Sequence, residues 1–135
     1  MKRLEKYQDC AYGALRFMAG WMYAFHGLQK VFGLWSEFRP PVGSQLWIGG
    51  VLEVLCGFAV ALGFGTRWAA FLASGQMAVA YSQFHWKFAL GKAFFPAVNK
   101  GELAVLYCFV FLLIATRGGG RCSLDARCCK NEPAP

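Results

Sequence analysis

The stretch GGVLEVLCGFAVALGFG, residues 49–65, carries one charged side chain, Glu53, in an otherwise apolar segment. A helix of about 20 apolar residues is long enough to cross the hydrocarbon core of a bilayer, which is about 30 Å thick. A carboxylate inside such a helix is costly, so it usually has a partner or a functional role. The stretch therefore predicts a membrane helix whose carboxylate contacts a residue elsewhere in the chain.

The composition of the whole chain agrees with this prediction. Of its 135 residues, 57% are hydrophobic and 16% are charged, whereas a soluble domain has about 25% charged residues. The net charge is +7, but the basic residues are scattered at the ends of apolar runs. Nucleic-acid binding would need a clustered basic stripe. We therefore expect a lipid bilayer, and no nucleic acid, as the surroundings of the protein.

Four apolar runs approach the length of a membrane span: residues 11–32, 46–65, 68–86 and 99–116. Glycine and proline residues separate them, so each run is expected to form one helix. The sequence predicts an all-α integral membrane four-helix up-down bundle, with an N-terminal segment (1–10), a helical domain (11–118) and a polar tail (119–135). A soluble bundle is the alternative, but the third and fourth runs lack the charged faces it would need.

Several local expectations accompany the four helices. Thr66 is placed to cap the third helix, and Asn99 with Glu102 resembles a capping box before the fourth. Arg16 is expected to extend its side chain to the headgroups of the inner leaflet. The segment from Cys122 onwards is polar, so we expect it to add nothing to the helix core.

The basic residues also predict the orientation of the chain. Eight of them lie in the N-terminal segment, the second connection and the tail, against five in the other two connections: Lys2, Arg3, Lys6, Arg67, Arg117, Arg121, Arg127 and Lys130 against Lys30, Arg39, Lys87, Lys92 and Lys100. Lys and Arg are enriched on the cytoplasmic side of membrane proteins. Both termini are therefore predicted to be cytoplasmic.

Each predicted helix places one titratable side chain at nearly the same depth: His26, Glu53, Tyr81 and Tyr107. At about 1.5 Å per residue, Glu53 lies about 10 Å below the outer boundary and His26 about 9 Å below it. Small residues on the same helix faces favour close approach. We expect the four side chains to converge, with Glu53 either protonated or ionised against His26 or Lys30.

Several motifs taken together resemble the DoxX family: HGLQKVFG (26–33), GxxTR (63–67), FFPAVNKGELAVLY (94–107) and GGGxxSLD (118–125). The resemblance implies a small multi-pass protein of the bacterial or archaeal inner membrane. The family is named after a subunit of a thiosulfate:quinone oxidoreductase, and other members are associated with thiol and redox homeostasis. By resemblance the chain is a subunit of a membrane redox system, with a protein partner in a complex or as a homo-oligomer.

The candidate ligand pocket combines the residues of shared depth with motif residues: His26, Lys30, Glu53, Tyr81, Tyr107, Asn99 and Glu102. Such a pocket suits a quinone headgroup, whose oxygens accept hydrogen bonds from His and Tyr. Neither a metal nor haem is expected, because the only histidines, His26 and His85, belong to no close-spaced ligand motif. The tail cysteines are expected to be free thiols on the reducing side.

Three functions remain open from the sequence. The first is a redox-complex subunit, quinone- or thiol-linked, with an intramembrane pocket. The second is a non-catalytic assembly or partner-binding protein whose polar layer sets the helix register, and the third is a small-solute transporter. No complete cofactor motif is present, so the chain is at most one subunit of an oxidoreductase.

Overall fold

The computed structural model describes residues 5–128, and every regular element in that range is helical. The elements are α1 (Gln8–Phe32), α2 (Gln45–Leu62), α3 (Thr66–Ala80), α4 (Glu102–Arg117) and the short α5 (Leu124–Cys128). A π-helical turn, Tyr81–Trp86, extends α3, and the short turns Lys92–Phe94 and Pro96–Asn99 lead into α4. The predicted all-α fold is confirmed for this range. Predictions that concern Lys2, Arg3, Cys129 and Lys130 lie outside the described residues.

Helices α1 and α2 pack against each other at glycines. A Cβ atom added to Gly20 would lie 2.5 Å from the backbone nitrogen of Ala61, and one added to Gly27 would lie 2.5 Å from the carbonyl oxygen of Gly50. Gly57 is equally close to the α1 backbone. Residue numbers rise along α1 as they fall along α2, so the two helices are antiparallel. Glycine permits this approach because it has no side chain to displace.

Helices α3 and α4 form a second antiparallel pair. The hydroxyl of Ser74 donates to the carbonyl of Cys108 at 2.8 Å, and the amide of Asn99 donates to the Tyr81 hydroxyl at 3.2 Å. The two pairs share one core, whose most deeply buried side chains include Tyr23, Val60, Ala70, Ala73, Phe111 and Ile114. We call the end at which α1 finishes and α2 begins the cavity end, and the opposite end the tail end.

At the tail end, the predicted cap of α3 is wrong. Gly65 is the N-cap residue, and Thr66 makes no capping bond within its own helix. The carboxylate of Asp125 instead accepts from the backbone nitrogens of Gly65 and Thr66, at 2.8 and 3.0 Å, and from the Thr66 hydroxyl at 2.6 Å. Burial would raise the pKa of Asp125, but these hydrogen bonds and the nearby Arg16 hold that pKa below its usual value.

Arg16 also departs from its predicted role. Its side chain is buried and donates to the carbonyls of Val60 and Ala61, the latter at 2.7 Å. A third bond, of 2.6 Å, reaches the carbonyl of Cys122. The guanidinium therefore satisfies carbonyls at the C-terminal end of α2, which have no partner inside their own helix, and does not extend to the headgroups.

The segment after α4 contributes to the packed structure, contrary to expectation. Ser123 is 5% exposed and packs against Gly63, where an added Cβ would lie 2.4 Å from the Ser123 Cβ. The Tyr12 hydroxyl donates to the carbonyl of Gly118 at 2.5 Å. Residues 118–125 therefore fold back across the tail ends of α1, α2 and α3.

The predicted capping box of the fourth helix is also wrong. Gly101 is the N-cap residue of α4 and no side chain caps that helix. Asn99 ends the preceding turn, and its side-chain oxygen accepts from the backbone nitrogen of Gly101 at 2.8 Å. Glu102 is exposed. The reason is the short turn Pro96–Asn99, which separates Asn99 from the helix it was expected to start.

Among the described residues, α2 is the one helix long and apolar enough by length and composition to cross a membrane, and a third of its residues are buried inside the protein. The two helices that follow it have 15 and 16 residues, fewer than the roughly 20 that a straight span needs. In α1, which has 25 residues, Arg16, His26 and Lys30 lower the apolar content.

Candidate functional site

The four long helices surround a cavity of about 770 Å³ at the cavity end. Its lining draws on α1, α2, α3, the π-helical turn and α4. The polar residues of the lining are Tyr23, His26, Lys30, Gln45, Glu53, Gln76, His85, Lys100 and Tyr107. The volume is typical of a site for a small organic molecule.

Glu53 of α2 lies inside this cavity with a cation beside it. Its carboxylate oxygen Oε1 is 2.5 Å from the Nζ atom of Lys30, and the two side chains are 3% and 30% exposed. The amide of Gln76 lies 3.4 Å from the same oxygen. The predicted contact between Glu53 and a neighbouring helix is confirmed, and of the two predicted cations Lys30 is the one that binds it.

Four buried polar atoms of the lining have no hydrogen-bond partner among the described residues. They are Glu53 Oε2, Gln76 Oε1 and the hydroxyl oxygens of Tyr23 and Tyr107. Buried polar groups in proteins are nearly always hydrogen-bonded, and each group left unpaired costs about 1–3 kcal/mol. Four such atoms therefore belong to residues that line one cavity.

The two tyrosines are held rigidly by the core. The rings of Tyr23 and Tyr107 have centroids 5.9 Å apart, and Phe111 packs against them at 4.8 and 5.5 Å. All three side chains are at least 93% buried. This packing fixes the positions of the two rings, and with them the positions of the two buried hydroxyls.

The predicted convergence of four side chains is wrong for Tyr81. Its hydroxyl donates to the carbonyl of Phe94 and accepts from Asn99, and neither residue lines the cavity. Tyr81 begins the π-helical turn, and the connection after that turn folds back over it. Tyr81 and Asn99 therefore form a separate cluster, which contacts the cavity through His85, whose Nδ1 lies 3.2 Å from the Asn99 carbonyl oxygen.

The other candidates divide between the cavity and the surface. His26, Lys30, Glu53 and Tyr107 line the cavity, and Glu102 does not. His26 is exposed at the cavity end. The assignment of these residues to a ligand site stays a prediction.

One side of the cavity opens between α2 and α3. Large apolar lining residues on both helices are exposed there: Ile48, Leu52, Phe71 and Leu72. The rim at the cavity end is different, because it carries the basic side chains of Lys30, Lys100, His26 and His85. The cavity thus combines an apolar side opening and a mostly apolar lining with a few buried polar groups and a cationic rim.

Two important lining residues were missed by the sequence prediction. Gln76 carries the only carboxamide of α3, and it donates to the Gly49 carbonyl at 3.0 Å, which connects α3 to α2. Tyr23 lies three residues before His26 on α1, and this spacing brings both side chains to one helix face. The signal that could have identified Gln76 is a lone amide in a helix that has no charged residue after Arg67.

No group of three or more His, Cys, Asp or Glu side chains comes together between residues 5 and 128. The polar groups that line the cavity are one carboxylate–ammonium pair, two phenols, two carboxamides, two imidazoles and a second ammonium group. These groups donate and accept hydrogen bonds and carry protons.

Fold and site together define a helical protein with an apolar surface and a cavity whose mostly apolar lining includes a buried carboxylate. The chain belongs to the DoxX family, whose family model matches residues 13–86. A Haemophilus influenzae protein described as uncharacterized is 36% identical over 129 residues, or 93% of this chain and 96% of the relative. No solved structure matches. The predicted resemblance is thereby confirmed, and family membership supports a membrane location.

Proposed function

We propose that the four long helices all cross the bacterial inner membrane, with both termini in the cytoplasm. Large apolar side chains are exposed along every one of them, among them Leu15, Met18 and Trp21 of α1, Leu55 and Leu62 of α2, Trp68 and Phe71 of α3, and Leu106 and Phe109 of α4. Such continuous apolar surface is unfavourable in water and suits lipid. The shorter helices α3 and α4 reach the boundary through the adjoining turns.

In that setting the protein is a membrane subunit of a redox system that binds a quinone-like ring in the cavity. The observation that carries this proposal is the set of four unpaired polar atoms inside a cavity with an apolar side opening. An amphiphilic ring satisfies both features, because its oxygens contact the polar interior and its apolar tail leaves between α2 and α3. Electron transfer to or from the ring is assigned to a protein partner in the membrane complex.

A non-catalytic assembly role is the second candidate, and one observation favours it. Lys30 joins α1 to α2 through Glu53, and Gln76 joins α3 to the same region of α2. These contacts set helix register whether or not a ligand binds. A transporter is less well supported, because the cavity lining contains no residue of the tail end, where Arg16 and Ser123 are packed among neighbouring backbone atoms.

The test is ligand binding by purified protein in lipid nanodiscs, with ubiquinone-1 as the probe and empty nanodiscs as the reference. We expect saturable binding that Tyr107→Phe weakens by about tenfold, the equivalent of about 1.4 kcal/mol, because a tyrosine hydroxyl donates to a ring carbonyl. Tyr7→Phe is the matched control, because Tyr7 is exposed just before α1. Unchanged binding in Tyr107→Phe, or no binding above empty nanodiscs, would favour the assembly role. Mass spectrometry of the same preparation identifies copurifying proteins.

A further inference from the structure

The unpaired polar atoms of the cavity are of two chemical kinds. Glu53 Oε2 and Gln76 Oε1 are oxygens without a hydrogen, whereas Tyr23 and Tyr107 present hydroxyls. A hydroxyl both donates and accepts, so it can pair with either kind of ligand atom. The two oxygens of Glu53 and Gln76 pair only with a donor. Whether they are satisfied therefore depends on the hydrogen atoms that the ligand carries.

The orientation of the Gln76 amide follows from its neighbours. Its nitrogen lies 3.0 Å from the Gly49 carbonyl oxygen and 3.4 Å from Glu53 Oε1, and both of these atoms are acceptors. Turning the amide over would place its oxygen against two acceptors, which is unfavourable. The nitrogen is therefore occupied, and the oxygen is the atom left for a ligand.

The charge state of Glu53 follows from Lys30. The Nζ atom is in direct contact with Glu53 Oε1, at 2.5 Å, and an ammonium group beside a carboxylate favours the ionised form of that carboxylate. An ionised carboxylate has no hydrogen to donate. With Oε1 bound to Lys30, the second oxygen Oε2 is an acceptor held inside the cavity, where the side chain is 3% exposed.

We propose that the cavity prefers the reduced, hydroxyl-bearing form of its ring ligand to the oxidised, carbonyl-bearing form; this inference rests on the proposed ring-binding function. Ring hydroxyls donate to Glu53 Oε2 and Gln76 Oε1. Ring carbonyls have no hydrogen, so they leave both buried acceptors unpaired.

The donors of the cationic rim do not reverse this preference. Lys100 and His26 are exposed, so water satisfies them whichever form is bound. Lys30 is bound to Glu53, and His85 lies 3.2 Å from the Asn99 carbonyl oxygen. The buried atoms have no such alternative, and a site built to pair with a ligand hydroxyl discriminates strongly against an analogue that lacks it. The buried acceptors therefore set the selectivity.

The experiment compares ubiquinol-1 and ubiquinone-1, under anaerobic conditions, by equilibrium dialysis against the full-length protein in nanodiscs. We expect the reduced form to bind at least about tenfold more tightly. The dimethyl ether of the reduced ring, which has the same ring without donors, should bind no better than the oxidised form. Equal affinity for the two redox forms, or tighter binding of the oxidised form, overturns the preference and leaves the ring-binding function standing. Binding of neither form overturns both.

Two variants locate the preference in the cavity. Glu53→Gln replaces an obligatory acceptor by a group that also donates, so the ratio of the two affinities should fall toward one. Tyr107→Phe removes a hydroxyl that pairs with either form, so both affinities should fall while their ratio stays the same. The ratio is measured on folded, ligand-binding protein, which separates it from any loss of stability. An unchanged ratio in Glu53→Gln contradicts the inference.

Discussion

The guanidinium of Arg16 and the carbonyl of Ala61 are 2.7 Å apart, although 45 residues separate them in the sequence. Ala61 lies at the end of α2, where carbonyls have no partner in their own helix. The same guanidinium also bonds to Val60 and, at 2.6 Å, to Cys122 of the returning segment. One buried cation thus holds together α1, the end of α2 and residues 118–125.

Removing this cation should destabilise the protein strongly. Arg16→Met removes the donor to the buried Ala61 carbonyl and to the partly buried Cys122 carbonyl, while the Val60 carbonyl keeps the backbone nitrogen of Gly63 at 3.1 Å. An unpaired buried carbonyl costs about 1–3 kcal/mol, so we expect a clear fall in the thermal unfolding midpoint in detergent. Arg39→Met is the matched control, because Arg39 is exposed before α2. Circular dichroism during heating provides the measurement. Equal midpoints for the two variants would show that Arg16 is not structurally important.

The close contact between α1 and α2 leads to a second prediction. A Cβ at Gly57 would lie 2.5 Å from the backbone nitrogen of Ala24, so Gly57→Ala should force the helices apart, at a cost of roughly 1–3 kcal/mol. Gly75 of α3 has no atom within 4 Å of an added Cβ. Gly75→Ala should therefore be neutral, or stabilising by up to about 1 kcal/mol through helix propensity. The prediction fails if the two alanine variants have the same unfolding midpoint.

The sequence predicted those features that depend on position along a helix. Helix ends follow glycine and proline, and the contact of Glu53 with Lys30 follows from counting depth at a constant rise. It failed for Tyr81, because a π-helical turn begins there and the next connection folds back over it. It also missed Gln76, because the rotation of α3 about its axis depends on packing between helices.

The packing of residues 118–125 against the helix ends was not predicted from the sequence, for a different reason. Its contacts with Thr66 and Arg16 join residues about 60 to 106 positions apart, and a polar sequence does not reveal which distant helix end it will satisfy. The glycines of the segment were visible as a helix stop. The contacts of these glycines with Arg67, Ser123 and Tyr12 depend on the fold of the remaining chain.

Asp125 should make stability depend on acidic pH. Its pKa is lowered in the folded protein, so its contribution is fully present above the unfolded value of about 3.9 and is lost as pH falls toward the folded pKa. We expect Asp125→Asn to lower the unfolding midpoint at pH 6, with the difference from the unaltered protein shrinking below about pH 4. Asp9→Asn is the control, since Asp9 forms only exposed ion pairs, and these contribute little. If the unfolding midpoints of Asp125→Asn and the unaltered protein still differ as much at low pH, the stabilising role of the ionised Asp125 carboxylate is contradicted.

The proposed orientation is tested with Cys128, which is exposed on α5 at the tail end. In a variant that retains this cysteine alone, a membrane-impermeant maleimide added to intact cells should not label the protein. Phe38→Cys, in the same cysteine-depleted background, should be labelled, because Phe38 is exposed in the first connection on the opposite side. Labelling of Cys128 before lysis would reverse the orientation, and permeabilised cells provide the positive control.

Removing one partner of the ion pair between Lys30 and Glu53 should lower the stability of the protein more than removing both partners. Lys30→Met leaves an ionised carboxylate that is 3% exposed without its cation, and breaking a buried pair from one side costs about 3–5 kcal/mol. The 30% exposure of Lys30 lets water offset part of that cost, so we expect the lower part of this range. In Lys30→Met/Glu53→Gln no charge is left to compensate, and most of the lost stability should return.

Lys92→Met, at an exposed position in the third connection, is the control for loss of a positive charge. Thermal unfolding of the four variants (the two singles at positions 30 and 53, the double and the control) provides the coupling energy between the two sites. If the double variant is as unstable as Lys30→Met, the prediction fails. Lys30 then stabilises the helices through the packing of its methylene chain, and its charge does not compensate the charge of Glu53.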